Sequence, residues 1–313
     1  MNLTVVRPGM LTTVQDLGRR GFQGQGVPVS GPMDIHSHRL ANQVVGNDAT
    51  AAALEITLLG PELVADADLV CAVAGAEIDV TVNGARVAPN APFGVPAGGR
   101  IRCGARRRGA RMTLAVRGGF DLPATLGSRA THLVSHMGPF GGRALRAGDV
   151  LPIGADGAEG ARGAVGAGAT GADGAEGAAP LALPDGGARL RVLPAVHRER
   201  FTGEAWTTLV STRYQVTPHS NRMGYRLEGV PLAHVGAADI LSEAMPRGAI
   251  QVPASGQPIL LMAECATTGG YATIANVITA DFPSAGQLAP GDWIEFEPCT
   301  REEALAVLRE RPW

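Results

Sequence analysis

Three stretches of the sequence mix glycine with hydroxyl, amide, carboxylate and guanidinium groups more densely than packing calls for. The first is Thr12-Thr13-Val14-Gln15-Asp16-Leu17-Gly18-Arg19, which runs on to Ser30-Gly31-Pro32-Met33-Asp34. The second is Ser220-Asn221-Arg222-Met223-Gly224-Tyr225-Arg226 and the third Thr267-Thr268-Gly269-Gly270-Tyr271. In the third, an apolar run ends in two hydroxyls and two glycines. Such an end leaves backbone N–H groups free and lets a ligand come close, which suits a carboxylate, a phosphate or a developing oxyanion. A tight turn whose threonines cap the next segment accounts for the same residues. In the second, Asn221 offers a donor and an acceptor, and Arg222 a planar fork for carboxylate or phosphate. An exposed hairpin with a salt-bridged arginine is the plainer alternative. For Gln15, Asp16 and Arg19 the alternative is an ion pair at a turn.

Composition removes several chemistries. All 27 basic residues are arginine. No Schiff-base lysine, Walker-type phosphate-loop lysine or biotinyl-lysine is available. A formal charge of -2 argues against nucleic acid or an anionic membrane as the main partner. Cys71, Cys103, Cys265 and Cys299 form no C-x-x-C pair, so neither zinc nor a disulfide framework is expected. His36 and His38 fall on different faces of an expected helix, and His132 and His136 lack an accompanying carboxylate, so no metal site is expected. Ser30 and Ser128 lie beside glycine but not in a Gly-x-Ser-x-Gly elbow. No apolar run approaches the roughly 18 residues of a membrane span, and the start lacks the pattern of a signal peptide. A cytoplasmic protein is the expectation.

The elements that must position these groups read as short strands. Glycine (43) and proline (22) are abundant and aromatics are only 4%, so turns are frequent. Strand patterns fall at 54–58, 69–74, 78–82, 85–88 and 112–117, and again at 225–230, 249–253, 258–263 and 293–297. Asn83-Gly84 between two of them spells a type I′ hairpin. Two helices are expected, at 32–45, opened by proline and stopped at Gly46, and at 301–310, with Thr300 and Glu303 as a capping box. The arginines between Arg100 and Arg111 form one basic cluster, read as a solvated loop or an interface.

Residues 154–187 are nearly all Gly, Ala, Asp, Glu and Pro, too poor in apolar volume to offset ordering entropy. They are expected to be a flexible linker between an N-terminal lobe, 1–153, and a C-terminal lobe, 188–313. The lobes echo one another: Leu145-Arg146-Ala147-Gly148-Asp149 against Leu288-Ala289-Pro290-Gly291-Asp292, and Val95-Pro96-Ala97-Gly98 against Val252-Pro253-Ala254-Ser255-Gly256. Shared turn chemistry and an old duplication explain this equally well.

Taken together, the motifs resemble one family. The stretch from Thr13 to Arg19, Ser30 to Asp34, Ala41-Asn42, Val45-Gly46-Asn47, Leu54-Glu55 and Gly60-Pro61 resemble the start of KipA-like proteins, also called allophanate hydrolase subunit 2 or the C-type subunit of 5-oxoprolinase. Ser220 to Gly229, Gly248 to Pro253 and Thr267 to Tyr271 are similar to that family's second half. The resemblance implies a mainly β fold with few helices, as two cyclophilin-like β-barrel lobes. It implies a KipI-like partner (the B-type subunit of 5-oxoprolinase, or allophanate hydrolase subunit 1), a LamB/YcsF-like third subunit, and ATP in the complex, with the nucleotide site possible on a partner. The leading function is a subunit of an ATP-dependent amide or lactam hydrolase. The alternatives are the carboxyltransferase half of a biotin-dependent urea or amide carboxylase, with biotin on a separate carrier, and a non-catalytic regulator of the KipA kind. By the same resemblance Asn221, Arg222 and Glu264 carry catalysis, while Gln15, Asp16, Arg19, Gln251, Thr267, Thr268, Gly269, Gly270 and Tyr271 bind substrate. The family commonly reads Gln-Thr-Thr-Gly-Gly-Tyr-Pro at the third segment, where this chain has Ala266 and Ala272 at the ends.

Overall fold

The computed structural model describes residues 1–155 and 179–310. Its contacts divide the chain into unit 1, Met1–Arg19 with Ser30–Leu183, and unit 2, Arg20–Val29 with Pro184–Trp313. Of the linker expected over 154–187, residues 156–178 lie outside the described residues.

Unit 1 is built on one sheet of nine strands. These are β1 (Asn2–Arg7), β2 (Leu11–Gln15), β3 (Ala53–Thr57), β4 (Glu62–Ala65), β5 (Leu69–Val82), β6 (Ala85–Arg86), β7 (Phe93–Val95), β8 (Arg100–Val116) and β9 (Val150–Pro152). Their order is β2-β3-β8-β4-β1-β9, with β5 paired to β6, β7 and β8. The two strands expected at 69–74 and 78–82 are one. Register shifts against β8 at Gly75, Glu77 and Ile78 carry β5 through the break in its alternation, and such bulges bend a strand and raise its twist. The first half of β5 is buried on both faces. Leu69, Cys71 and Val73 enter the main core, while Val70, Ala72 and Ala74 pack with Leu40 and Ala41 of helix α1 (Ile35–Val44). That double burial is why 69–74 reads as an unbroken apolar run.

Helix α1 starts later than its proline suggests. Asp34 is the cap, its carboxylate accepting the Ser37 N–H at 3.0 Å and the Ser37 hydroxyl at 2.6 Å. Asn83 (φ 51°) and Gly84 (φ 89°) form the expected I′ turn between Val82 and Ala85. The arginine cluster is neither a loop nor a free patch. It lies on β8, where Arg100 and Arg102 reach Glu62, Arg107 reaches Asp79 and Arg108 reaches Glu77 across neighbouring strands.

Unit 2 is a closed seven-stranded barrel ordered β10-β17-β14-β15-β12-β11-β18. The strands are β10 (Gly187–Pro194), β11 (Arg213–Val216), β12 (Gly224–Glu228), β14 (Ala249–Gln251), β15 (Ile259–Leu261), β17 (Thr273–Val277) and β18 (Trp293–Pro298). Parallel pairing of β10 with β18, from Gly187 opposite Trp293 to Val192 opposite Pro298, closes it. In β12, Tyr225 and Leu227 point in and Arg226 and Glu228 out, the alternation of a half-buried strand. The buried Tyr214 and Tyr225 hydroxyls donate to the carbonyls of Val230 (2.9 Å) and Ala285 (3.0 Å). Two further strands, β13 (Asp239–Ala244) and β16 (Thr268–Tyr271), pair with each other as a separate ribbon. The helix Arg301–Glu310 carries the expected capping box: Thr300 Oγ1 accepts the Glu303 N–H (3.2 Å) and the Glu303 carboxylate the Thr300 N–H (2.7 Å). The barrel expected for both lobes is thus closed in unit 2, while the sheet of unit 1 is curled as a half-barrel.

The echo between the lobes is geometrical. Asp149 accepts the Arg146 N–H at 2.7 Å and Asp292 the Ala289 N–H at 2.8 Å. Gly148 donates to Val5 O and Gly291 to Val216 O, both at 2.8 Å; Val5 and Val216 return N–H bonds to Asp149 O and Asp292 O, both at 2.9 Å.

Candidate functional site

Unit 2 holds a cavity of about 200 Å³ lined by Asn221, Met245, Gln251, Cys265, Ala266 and Thr268, with His219, Met223 and Arg226 at its walls. The turn before β12 supplies Asn221. Its Oδ1 accepts the Met223 N–H at 2.8 Å, and its own N–H donates to Gly224 O at 3.1 Å. These bonds assign the carboxamide, so its NH2 is the end left for a ligand. Gln251 ends β14. Its NH2 lies 3.3 Å from Met245 Sδ and 3.4 Å from Tyr271 O, which leaves Oε1 as an acceptor. The Cys265 thiol is pushed up by burial, only partly offset by the nearby Arg247 guanidinium. It is a poor nucleophile there.

Arg222 and Glu264 meet as a buried pair. Arg222 Nε lies 2.6 Å from Glu264 Oε1, with side chains 3% and 1% exposed. Backbone bonds run alongside, from Glu264 N–H to Arg222 O at 2.8 Å and from Met262 N–H to Met223 O at 2.9 Å. The pair fastens the Asn221 turn to the chain after β15. Neither side chain is part of the cavity lining.

The third segment is a strand rather than a turn. Thr268 to Tyr271 form β16, with Gly269 opposite Glu243 and Thr268 opposite Ala244. Thr267 O accepts the Met245 N–H at 2.9 Å, and Tyr271 is 41% exposed. Gly269 has a packing reason: a Cβ there would lie 2.6 Å from Gln251 Nε2. Glycine lets the ribbon lie directly against the Gln251 carboxamide. Ala266 puts a methyl group on the cavity wall. Ala272 donates its N–H to Ala238 O at 3.1 Å, a bond that proline at this position could not make.

Gln15, Asp16 and Arg19 belong to unit 1. All three are buried and hold residues 125–131. Gln15 Nε2 donates to Thr131 O at 3.1 Å. Asp16 accepts the Gly18 N–H at 2.9 Å, the Ser128 hydroxyl and the Arg129 N–H. Arg19 donates to the carbonyls of Thr125 and Ala130. In the same unit His38 is driven down to about 4 by burial, against the opposing pull of Asp16 and Glu55. The structure therefore gathers Asn221, Gln251 and Thr268 around one cavity, sets Arg222 and Glu264 behind it, and gives the first-segment residues a bracing task in unit 1. Met245, Cys265 and His219 were not among the expected site residues, and Arg226 was named within the second segment without a role. Arg226 alone was readable, as the polar position between Tyr225 and Leu227.

Among the described residues no group of three or more His, Cys, Asp or Glu is placed to hold a metal ion. None of their helices is long and apolar enough to cross a membrane.

The closed barrel agrees with what the chain as a whole resembles. Residues 25–298 match the family model of the carboxyltransferase domain, subdomains A and B. The chain belongs to that family. It is 37% identical to the C-type subunit of 5-oxoprolinase from Escherichia coli (strain K12) over 309 residues, spanning 99% of this chain and 95% of that relative. The corresponding protein of Haemophilus influenzae is 34% identical over 298 residues, spanning 95% of this chain and 91% of the relative. Among solved structures, the urea amidolyase of K. lactis superposes with a TM-score of 0.88 at 33% identity over 97% of this chain. The chain spans only 19% of that structure's length.

Proposed function

We propose that this chain is the C-type subunit of an ATP-dependent, 5-oxoprolinase-type complex, and that the unit 2 cavity takes the amide or lactam to be opened. The reciprocal coverage carries this reading: 99% of this chain matches 95% of a C-type 5-oxoprolinase subunit. The cavity chemistry supports it. A lactam holds its N–H and C=O side by side on one edge. Asn221 NH2 offers a donor for the carbonyl and Gln251 Oε1 an acceptor for the N–H. As negative charge grows on the carbonyl oxygen, Asn221 NH2 and the Arg226 guanidinium stabilise it. Thr268 orients the ring, with Thr267 and Tyr271 on the same ribbon segment. Arg222 and Glu264 act by positioning Asn221 and do not touch substrate. Gln15, Asp16 and Arg19 keep their bracing role.

Two further groups go with the related complexes. The cavity, at about 200 Å³, falls below the roughly 300–1,000 Å³ of pockets for larger ligands. We place ATP on a partner, either the KipI-like or the LamB/YcsF-like subunit. Biotin fits in part, because its ureido ring carries the same N–H and C=O edges that Asn221 and Gln251 read. With no lysine to attach it, biotin would arrive on a separate carrier and supply a carboxyl group. The TM-score of 0.88 to urea amidolyase favours this second reading, a carboxyltransferase half. The lobes are taken as 1–153 and 188–313, joined by the Gly/Ala-rich segment. The four unpaired cysteines support a cytoplasmic setting.

The test is reconstitution with the partner subunits. ADP release should rise on adding 5-oxoproline. No stimulation with every partner present refutes the leading reading. Transfer of labelled carboxyl from carboxybiotin to urea would establish the second.

A further inference from the structure

The β13–β16 ribbon forms one wall of the cavity, yet little holds it. No residue of either strand is buried, and Leu241, within the irregular register between Asp239 and Glu243, is 93% exposed. A two-stranded ribbon with so little apolar burial opens easily unless it is tied down. The ribbon nonetheless supplies Thr268 to the lining, sets Gly269 against Gln251, and leads into Met245. Its position therefore decides the shape of the cavity.

One tie comes from outside the ribbon. His197 sits in the turn after β10, which is fixed to β17 by the Ala195 N–H to Ile274 O bond at 3.1 Å. His197 Nδ1 lies 3.3 Å from the Thr273 N–H and accepts from it. That bond sets the tautomer, so Nε2 carries the hydrogen. Nε2 lies 3.4 Å from Glu243 Oε1, close enough for the carboxylate and the ring to attract each other. Glu243 is the residue of β13 opposite Gly269. The imidazole thus links the barrel to the ribbon at the glycine that faces Gln251.

We propose that His197 and Glu243 are positioning residues for the unit 2 cavity: they clamp the β13–β16 ribbon to the barrel and so hold Thr268 and Gly269 in place over Gln251. Neither touches substrate. The proposal rests on the cavity being the substrate site only for its kinetic arm. Its structural arm stands without that reading.

The experiment has both arms. In the isolated chain, backbone hydrogen exchange is followed in wild type, His197→Ala, Glu243→Ala, the double variant and Glu243→Gln. Amides of the ribbon, Gly269 and Gly270 among them, should exchange about two- to fivefold faster in both alanine variants, the range an exposed pair of this kind supports. Barrel strands β14 and β17 should not change. The double variant should match the single ones, and Glu243→Gln, which keeps an acceptor, should restore most of the protection. In the reconstituted complex, the alanine variants should raise KM for 5-oxoproline by the same two- to fivefold, with kcat unaltered. Unchanged ribbon exchange, or equal acceleration across the whole barrel, overturns the clamp. If wild-type complex shows no 5-oxoproline response, the functional reading fails while the exchange result still decides the clamp.

Discussion

Replacing Gly269 by alanine should separate activity from stability. The new Cβ would stand 2.6 Å from Gln251 Nε2 and 3.0 Å from Met245 Cγ. Favourable carbon contacts begin near 3.5 Å, so the carboxamide must retreat by about 1 Å. Little resists that retreat, because Gln251 NH2 is held only by a weak thioether acceptor, Met245 Sδ at 3.3 Å, and a long contact to Tyr271 O at 3.4 Å. The cost in folding is therefore at the low end for overpacking, about 1 kcal/mol. The cost in catalysis is larger. A binding group displaced by about 1 Å lowers kcat/KM on the order of 100-fold. Urea unfolding gives the first quantity, and 5-oxoproline-dependent ADP release by the reconstituted complex the second. A Gly269→Ala/Gln251→Ala double variant should be no worse than Gln251→Ala alone, since the displaced group is already gone. A folded Gly269→Ala protein that keeps activity within about twofold would refute the link between this glycine and the cavity.

Other expectations follow from the same geometry. Asn221→Asp keeps the acceptor for the Met223 N–H but exchanges the NH2 for a negative charge. It should fold normally and lose roughly 100- to 1,000-fold in kcat, the usual loss for one oxyanion donor. Glu264→Ala should destabilise by about 3–5 kcal/mol, because the buried Arg222 loses a carboxylate 2.6 Å from its Nε, and Arg222→Met/Glu264→Met should recover most of that on urea titration. His38 is held neutral, at about 4 against an ordinary 6.5. The unfolded chain then binds a proton that the native state refuses. Stability should be full above about 6.5 and fall by about 3 kcal/mol as pH drops toward 4, while His38→Gln should flatten that slope.

Much of the strand content was legible because period-two burial leaves a plain record, as in Tyr225 and Leu227 of β12. The ribbon was not. Asp239 to Ala244 have neither an apolar face nor alternation, so nothing marked them as a partner for Thr268 to Tyr271, and the two glycines read as a turn. Arg222 illustrates a different limit. Its motif pointed to the right neighbourhood, but only the fold shows that Glu264, 42 positions on, absorbs its charge. Gln15, Asp16 and Arg19 likewise reveal their task only through residues more than a hundred positions away, such as Ala130 and Thr131. Gln251 became meaningful when the missing Cβ of Gly269 was seen beside it.

The paired Gly-Asp turns bear on how the chain comes off the ribosome. Val5 of the first strand exchanges backbone bonds with Gly148 and Asp149, and β10 finds its parallel partner only at Trp293. Each unit therefore waits for its last strand before its sheet is complete. At about 5–20 residues per second, strand β1 spends several seconds or more with one edge unmatched, and β10 does the same during synthesis of unit 2. Nascent chains stalled before Val150, or before Trp293, should be the aggregation-prone and chaperone-dependent ones, and those in which β9, or β18, has cleared the ribosome should not.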